Sequence, residues 1–383
     1  MSVGSALVSG NEALPGLAEG AFQLALGNSG ASHARGVLLL LTQEFSRCTQ
    51  QTVTAVARTA QCTEVAGGLA AGVFTDDGWV IDRPAAAVMV FAGGLWLDHR
   101  PAGESIVDLA GDGDPGDALG GALLSYAGSR FPAEWGESAT PRFGGSFVGD
   151  LGRSEPVAWQ HSRLAAQCSL RLGGAQIDVG VSSGWRLLGS PTPVDSSHGH
   201  ELFSIGGRSA LDSLIRVLPA EQRQQTRLPL ASLCAVASDS GAAGGTATDS
   251  GWHTVAILAA NADKSLTLAE RITPGQNLAW AIRQPQAAVD DMRQLLGRLA
   301  GVVARPLAAV VFSCIGRGPC FHDGRDRELE CLRERFPGLP LVGSYGTGQI
   351  APAAAGGSRL LQNAVVTALI SEATRRADVQ PQP

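Results

Sequence analysis

Residues 314–326, CIGRGPCFHDGRD, crowd two thiols, two guanidinium groups, an imidazole and two carboxylates into one short stretch. Cys320 and His322 could serve as nucleophile and base, because a cysteine attacks only as the thiolate, which a nearby base or positive charge favours. No third group that would orient the imidazole can be picked out, so a thiol enzyme is an alternative reading and not the preferred one. Arg317 and Arg325 suit a carboxylate, of a ligand or of the protein itself, because guanidinium donors match the two carboxylate oxygens.

The familiar motifs are excluded one by one. LVGSYGTGQIAP (341–352) is spaced like a phosphate loop, but Gln349 and Ile350 stand where Lys and Ser or Thr are needed, and the one lysine, Lys264, lies far upstream. There is no GxSxG nucleophile elbow, and HELFS (200–204) has Ser204 in place of the second histidine of a zinc site. Histidines 33, 99, 161, 198, 200, 253 and 322 are available to a metal or haem, yet His198 and His200 read as a solvated loop pair and His253 as a core-edge residue. The seven cysteines (48, 62, 168, 234, 314, 320 and 331) are odd in number and contain no CxxC pair, which indicates reduced thiols and no structural zinc or disulfide framework.

Such residues need elements to hold them. Short apolar runs mark strands at 36–42, 85–91, 253–260, 277–283, 307–314 and 362–370. A helix is expected over 285–300, with Pro285 in its first turn and Val289, Met292, Leu295, Leu296 and Leu299 on one face. A second is expected from about Arg325 to Phe336, stopped by Pro337-Gly338. Stretches 111–121, 237–250 and 352–358 read as loops, and the tail from Arg375 as disordered.

A search for self-similarity sets VAGGLAAGVF (65–74) beside LVGSYGTGQI (341–350), with Gly67 on Gly343 and Gly72 on Gly348. RFGGSFVGD (142–150) places Gly144, Gly145 and Gly149 in the same frame. Helices are expected before each copy, at about 50–60, 117–130 and 325–336. The first and last copies also share flanking strands. The chain therefore reads as an α/β protein of mixed α+β character, with two related halves whose mixed β-sheets are flanked by helices. Glycine at these bends permits close backbone approach. It would serve either the packing of two halves or the presentation of backbone N–H groups to a small ligand.

Composition sets the outer limits. Hydrophobic residues make up 44% and charged residues 17%, the balance of a chain that folds, and 383 residues suggest two domains. A net charge of −6 with scattered arginines leaves no basic footprint for nucleic acid. The N-terminus lacks a basic, apolar leader and no membrane span is evident, so a cytoplasmic protein with no membrane partner is expected.

The ordered series EVAGGLAAGVF, FGGSFVGD, GWRLLGSPTPV, ELFSIGGRSALDSL, FSCIGRG and FPGLPLVGSYGTGQIAP resembles the FIST sensory-domain family over about residues 35–371. The resemblance implies an N-terminal extension (1–34), a FIST N-terminal-like module (35–204), a FIST C-terminal-like module (205–371) and a tail (372–383). It implies a bacterial, non-enzymatic sensor of signal transduction that binds an amino acid or related metabolite. Its output would pass to a separate signalling protein such as a histidine kinase or cyclase. No cofactor is expected; haem, as in a nitric-oxide sensor, is the alternative because some relatives bind it. Carried across residue by residue, the matching positions are Gly67, Gly72, Gly144, Gly145, Asp150, Cys314, Arg317, Gly343, Tyr345, Gly348 and Gln349; all but Cys314 are the expected ligand contacts. Gln349 stands where many relatives carry Glu, which removes a negative charge from that position.

Overall fold

The computed structural model describes residues 2–99, 121–128, 130–147, 158–223, 228–238, 252–353 and 356–373. Asp150, Gly149, most of the 111–121 and 237–250 loops and the tail from Arg375 lie outside the described residues. The chain forms two compact units that are not contiguous modules: residues 1–182 with 293–383, and residues 183–292. Among the described residues no helix is long and apolar enough to cross a membrane.

The larger unit holds three copies of one strand pattern, where the sequence suggested two halves. In the first, Ser2–Ser9 pairs antiparallel with Ala85–Ala92, which pairs antiparallel with Gly36–Thr42, which lies parallel to Val65–Ala70. In the third, Ala175–Ser182, Val365–Glu372, Ala308–Cys314 and Leu341–Gly346 repeat that order and those directions. The second does so with Trp96–His99, Gln167–Gly173, Leu123–Ala127 and Arg142–Ser146. Leu123–Ala127 is thus a strand inside a segment expected to be helical. Its five residues, Leu-Leu-Ser-Tyr-Ala, are all buried, and cover on both faces favours extended backbone. The stretch 1–34, expected as an extension, supplies the first strand and the helix Pro15–Ser29 of the first copy.

After its glycine-bearing strand each copy sends out a hairpin that joins another copy's sheet. Gly72–Thr75 with Gly78–Ile81 leaves the first copy and pairs with Leu341–Gly346 of the third. Gly348–Pro352 with Ser358–Leu361 leaves the third and pairs with Arg142–Ser146 of the second. Ala158–Gln160 with Arg163–Ala165 leaves the second and pairs with Val65–Ala70 of the first. The exchange closes on itself and, among the described residues, yields three six-stranded sheets.

Register explains the glycines. Gly67, Gly144 and Gly343 face Leu39, Ser125 and Val311 on the neighbouring parallel strand. A Cβ at these positions would lie 1.8 Å from the Leu39 carbonyl oxygen, 1.6 Å from that of Ser125 and 2.4 Å from that of Val311. The incoming hairpins set Trp159, Ile350 and Phe74 opposite the same three glycines. One residue on, Gly68 and Gly145 leave room for the rings of Tyr126 and Phe312, whose centroids are 6.2 Å apart. Tyr126 and Phe312 belong, with Leu39 and Leu40, to one continuous core.

The smaller unit is a closed antiparallel barrel. Asn277–Arg283, Thr192–His198, Glu201–Ile205, Leu266–Leu268, Trp252–Ala260 and Leu233–Ser238 pair in succession, and the last pairs with the first. Closure removes sheet edges that would otherwise invite aggregation. Alternate residues such as Leu233, Ala235, Ala237, Leu278, Trp280 and Ile282 fill its core. Helix Ala210–Val217 adds Ala210 and Leu214, and Ser209 caps it by accepting from the Asp212 N–H at 3.2 Å.

Candidate functional site

The stretch 314–326 joins the strand Ala308–Cys314 to the helix Arg327–Arg335 through two short 3₁₀ turns, Ile315–Arg317 and Pro319–His322. It is held from below by a cluster of buried polar groups. Arg317, 1% exposed, donates from Nε and Nη2 to the two carboxylate oxygens of Glu328 at 3.0 and 2.8 Å. Its Nη1 and Nη2 donate to the Ser182 carbonyl and hydroxyl at 2.6 and 2.9 Å. Four donors therefore meet four acceptor contacts, which is what makes a buried guanidinium tolerable.

Glu328 also meets His322 Nε2 at 3.1 Å, while His322 Nδ1 is buried without a partner. Asp326 caps the helix, its Oδ1 accepting from the N–H groups of Glu328 and Leu329 at 3.1 and 2.8 Å. Its other oxygen accepts a short hydrogen bond from the Tyr345 hydroxyl. Burial raises the Asp326 carboxyl above its ordinary value, with the Tyr345 bond opposing. Burial and the adjacent Asp326 carboxylate push the Tyr345 phenol well above 10. Phe74, arriving on the exchanged hairpin, packs on Tyr345 with centroids 4.8 Å apart.

The thiol and imidazole of the enzyme reading differ in exposure. Cys320 is exposed, whereas His322 is 3% exposed and engaged by Glu328. The arginines find carboxylates of the protein: Glu328 for Arg317, and Glu330 for Arg325 at 2.9–3.0 Å. All seven cysteines are free thiols. Among the described residues no group of three or more His, Cys, Asp or Glu could hold a metal ion. His253 is 12% exposed and lies 3.2 Å from Glu270, and His200 lies 3.1 Å from the Leu268 carbonyl.

The described positions expected to touch a ligand are all buried. Gly67, Gly144, Gly145 and Gly343 are the close-packed bends described above. Gly72 and Gly348 face the side chains of Ile81 and Leu360 across their hairpins. Gln349 is fully buried; its Oε1 accepts from the Ala364 N–H at 3.4 Å and its Nε2 has no acceptor. Arg317 and Tyr345 come together in one network, while Gln349 lies outside it. Sequence reasoning missed Glu328 and Ser182. Asp326 followed by an apolar helical face is an N-cap signal that would have placed the carboxylates. Nothing local marks Ser182, which lies in a distant strand.

Residues 210–352 match the family model of the FIST C domain, a family of sensory domains in signal transduction. The matched span runs from the barrel helix to the exchanged hairpin of the third copy. The chain is 26% identical over 191 residues to the uncharacterized proteins Rv0628c and MT0656 of Mycobacterium tuberculosis, the match taking 48% of this chain and 49% of theirs. It is 26% identical over 189 residues to the uncharacterized protein Mb0898c of Mycobacterium bovis, covering 48% of each. The chain thus spans about half the length of the curated relatives it matches.

Proposed function

We propose that this chain is a ligand-binding sensor of the FIST type, which takes up an amino acid or related metabolite and reports it to a separate signalling partner such as a histidine kinase or cyclase. The observation that carries the reading is the FIST C match over residues 210–352, which joins the barrel to the third copy. The site chemistry supports a binder over a catalyst. Arg317, His322 and Asp326 of this stretch are buried, and Arg317 and His322 both hold Glu328. A haem iron at His322 Nε2 would have to displace that carboxylate.

Native mass spectrometry of the chain purified from its own host tests the proposal. A non-covalent small-molecule adduct, with thermal stabilisation when the same compound is added back, is the expected result. A bare polypeptide mass in every preparation, together with no stabilisation by a panel of amino acids and central metabolites, would remove the reading.

A further inference from the structure

The copies present equivalent positions where an exchanged hairpin turns against the start of a parallel strand. Trp159 and Phe74 stand opposite Gly67 and Gly343, so His161 and Asp76, two residues on, are equivalent turn residues. Glu64 and Pro340 are equivalent too, because their carbonyls accept from the Val37 and Ala309 N–H groups of matching strands, each at 2.9 Å. In the first copy an acid and a base meet at the turn: His161 Nδ1 lies 2.8 Å from a Glu64 carboxylate oxygen. In the third copy the turn residue is the acid, and Pro340 has no polar side chain to offer it.

Asp76 is fixed in place without a cation. Its Oδ1 accepts from the Ser5 hydroxyl at 2.6 Å and from the Leu341 N–H at 3.2 Å. Among the described residues nothing engages its Oδ2, which is open to water, and no Arg, Lys or His forms an ion pair with it.

This carboxylate forms one side of a cavity of about 390 Å³, whose other walls include Leu332, Arg333, Phe336, Leu339 and Leu341. Leu332, Arg333 and Phe336 belong to the last turn and the C-cap of the helix Arg327–Arg335. Pro337 has no N–H, so the Arg333 carbonyl loses its partner in the helix ladder. The carboxyl end of a helix favours positive charge. Arg333 does not supply that charge to the cavity: its Nε and Nη2 are shielded from water, and its charge bears on the buried Tyr345 phenol. Arg335 is exposed and stands over the Phe336 ring, 5.8 Å from its centroid. Neither arginine pairs with Asp76.

From the free carboxylate oxygen, the helix carboxyl end and the apolar wall, we infer that this cavity binds a primary alkyl ammonium ion. Asp76 Oδ2 accepts from the ammonium group, and Leu332, Phe336, Leu339 and Leu341 surround the alkyl chain. An ammonium bound to a carboxylate makes a charge-assisted hydrogen bond, stronger than a neutral one. A cavity of this size falls in the range of small-molecule sites, and its few polar groups suit a short apolar chain. An anion would meet both Asp76 and the negative end of the helix dipole. The inference deepens the sensory reading by naming a ligand class and a place, and it rests on that reading for its biological use.

Calorimetry and thermal shift of the full chain with n-butylammonium chloride at neutral pH test it, with butan-1-ol and sodium butyrate as neutral and anionic counterparts at matched ionic strength. n-Butylammonium is expected to give a saturable isotherm and a concentration-dependent rise in melting temperature, and the two counterparts are not. Asp76→Asn keeps an oxygen for the Ser5 hydroxyl and the Leu341 N–H but removes the charge. It should abolish the isotherm while retaining the wild-type circular dichroism spectrum. Should that variant fold poorly, Leu339→Trp, which fills the cavity from its wall, should also abolish the isotherm. No saturable n-butylammonium binding in the wild type, an equal isotherm with butan-1-ol or butyrate, or undiminished binding in a folded Asp76→Asn or Leu339→Trp variant would overturn the inference. The two readings can fail separately. A host-derived adduct on a chain that gives no n-butylammonium isotherm supports the sensor and removes this site. An n-butylammonium isotherm lost in Asp76→Asn, with no adduct from the host, supports the site and removes the sensor.

Discussion

At 1% exposure, the Arg317 side chain has to find its acceptors inside the protein, and it finds them on two elements far apart in sequence. Removing it strands Glu328 with His322 alone. Arg317→Met is therefore expected to destabilise the fold by about 3–5 kcal/mol, the usual cost of breaking a buried pair from one side. Urea denaturation should show that Arg317→Met/Glu328→Leu recovers much of the loss, because the orphaned charge is gone. Asp326 makes a pH-dependent contribution. Its folded value is raised, so the native chain holds that proton more tightly than the unfolded chain. The resulting stability is fully present below the ordinary carboxylate pKa and is lost as pH rises through the raised folded value. Asn at this position retains a capping oxygen but does not titrate. The unfolding free energy of wild type minus that of Asp326→Asn should fall as pH rises from about 3.5 toward neutrality, and a difference flat across that range would refute the assignment.

At the scale of elements, the glycine bends are where the copies fit together. Gly67 has φ of 152°, and a Cβ there would lie 1.8 Å from the Leu39 carbonyl oxygen and 3.2 Å from Trp159 Nε1. Gly67→Ala is expected to cost at least about 1–3 kcal/mol, as overpacking does, and to loosen the strand Ala158–Gln160, which hydrogen exchange would detect. The glycine frame linking 67, 144 and 343 was legible because the same close approach recurs three times. The second copy was obscured because its strand Leu123–Ala127 is short and continuous in burial, a pattern that does not separate strand from helix. The hairpin exchange was not legible at all. It depends on long-range pairing, such as Gly72 with Tyr345, for which a local pattern carries no signal. Arg317 was singled out as a carboxylate binder and does bind one. Which carboxylate it binds is set by the 3₁₀ turns and the Asp326 cap that fold the loop back over the helix start.

For the whole molecule, the three-copy reading gives the barrel a definite place in the chain. In the first copy the strand Ser2–Ser9 and the helix Pro15–Ser29 are joined by residues 10–14. In the third, the strand Ala175–Ser182 and the helix Pro285–Val302 correspond to them, and both helices open on proline, which suits a first helical position. Residues 183–284 thus occupy a connection that five residues make elsewhere in the same chain. Barrel closure and a separate hydrophobic cluster give that segment the means to fold by itself. Replacing 183–284 with the sequence of residues 10–14 is expected to leave a soluble α/β protein with a cooperative thermal transition by circular dichroism. Residues 183–292 expressed alone should give a β-rich spectrum and a cooperative transition of their own. If the shortened chain melts without cooperativity while the isolated barrel folds, the three-copy unit depends on its insertion, and the barrel is a structural part of the α/β fold in place of an appended module.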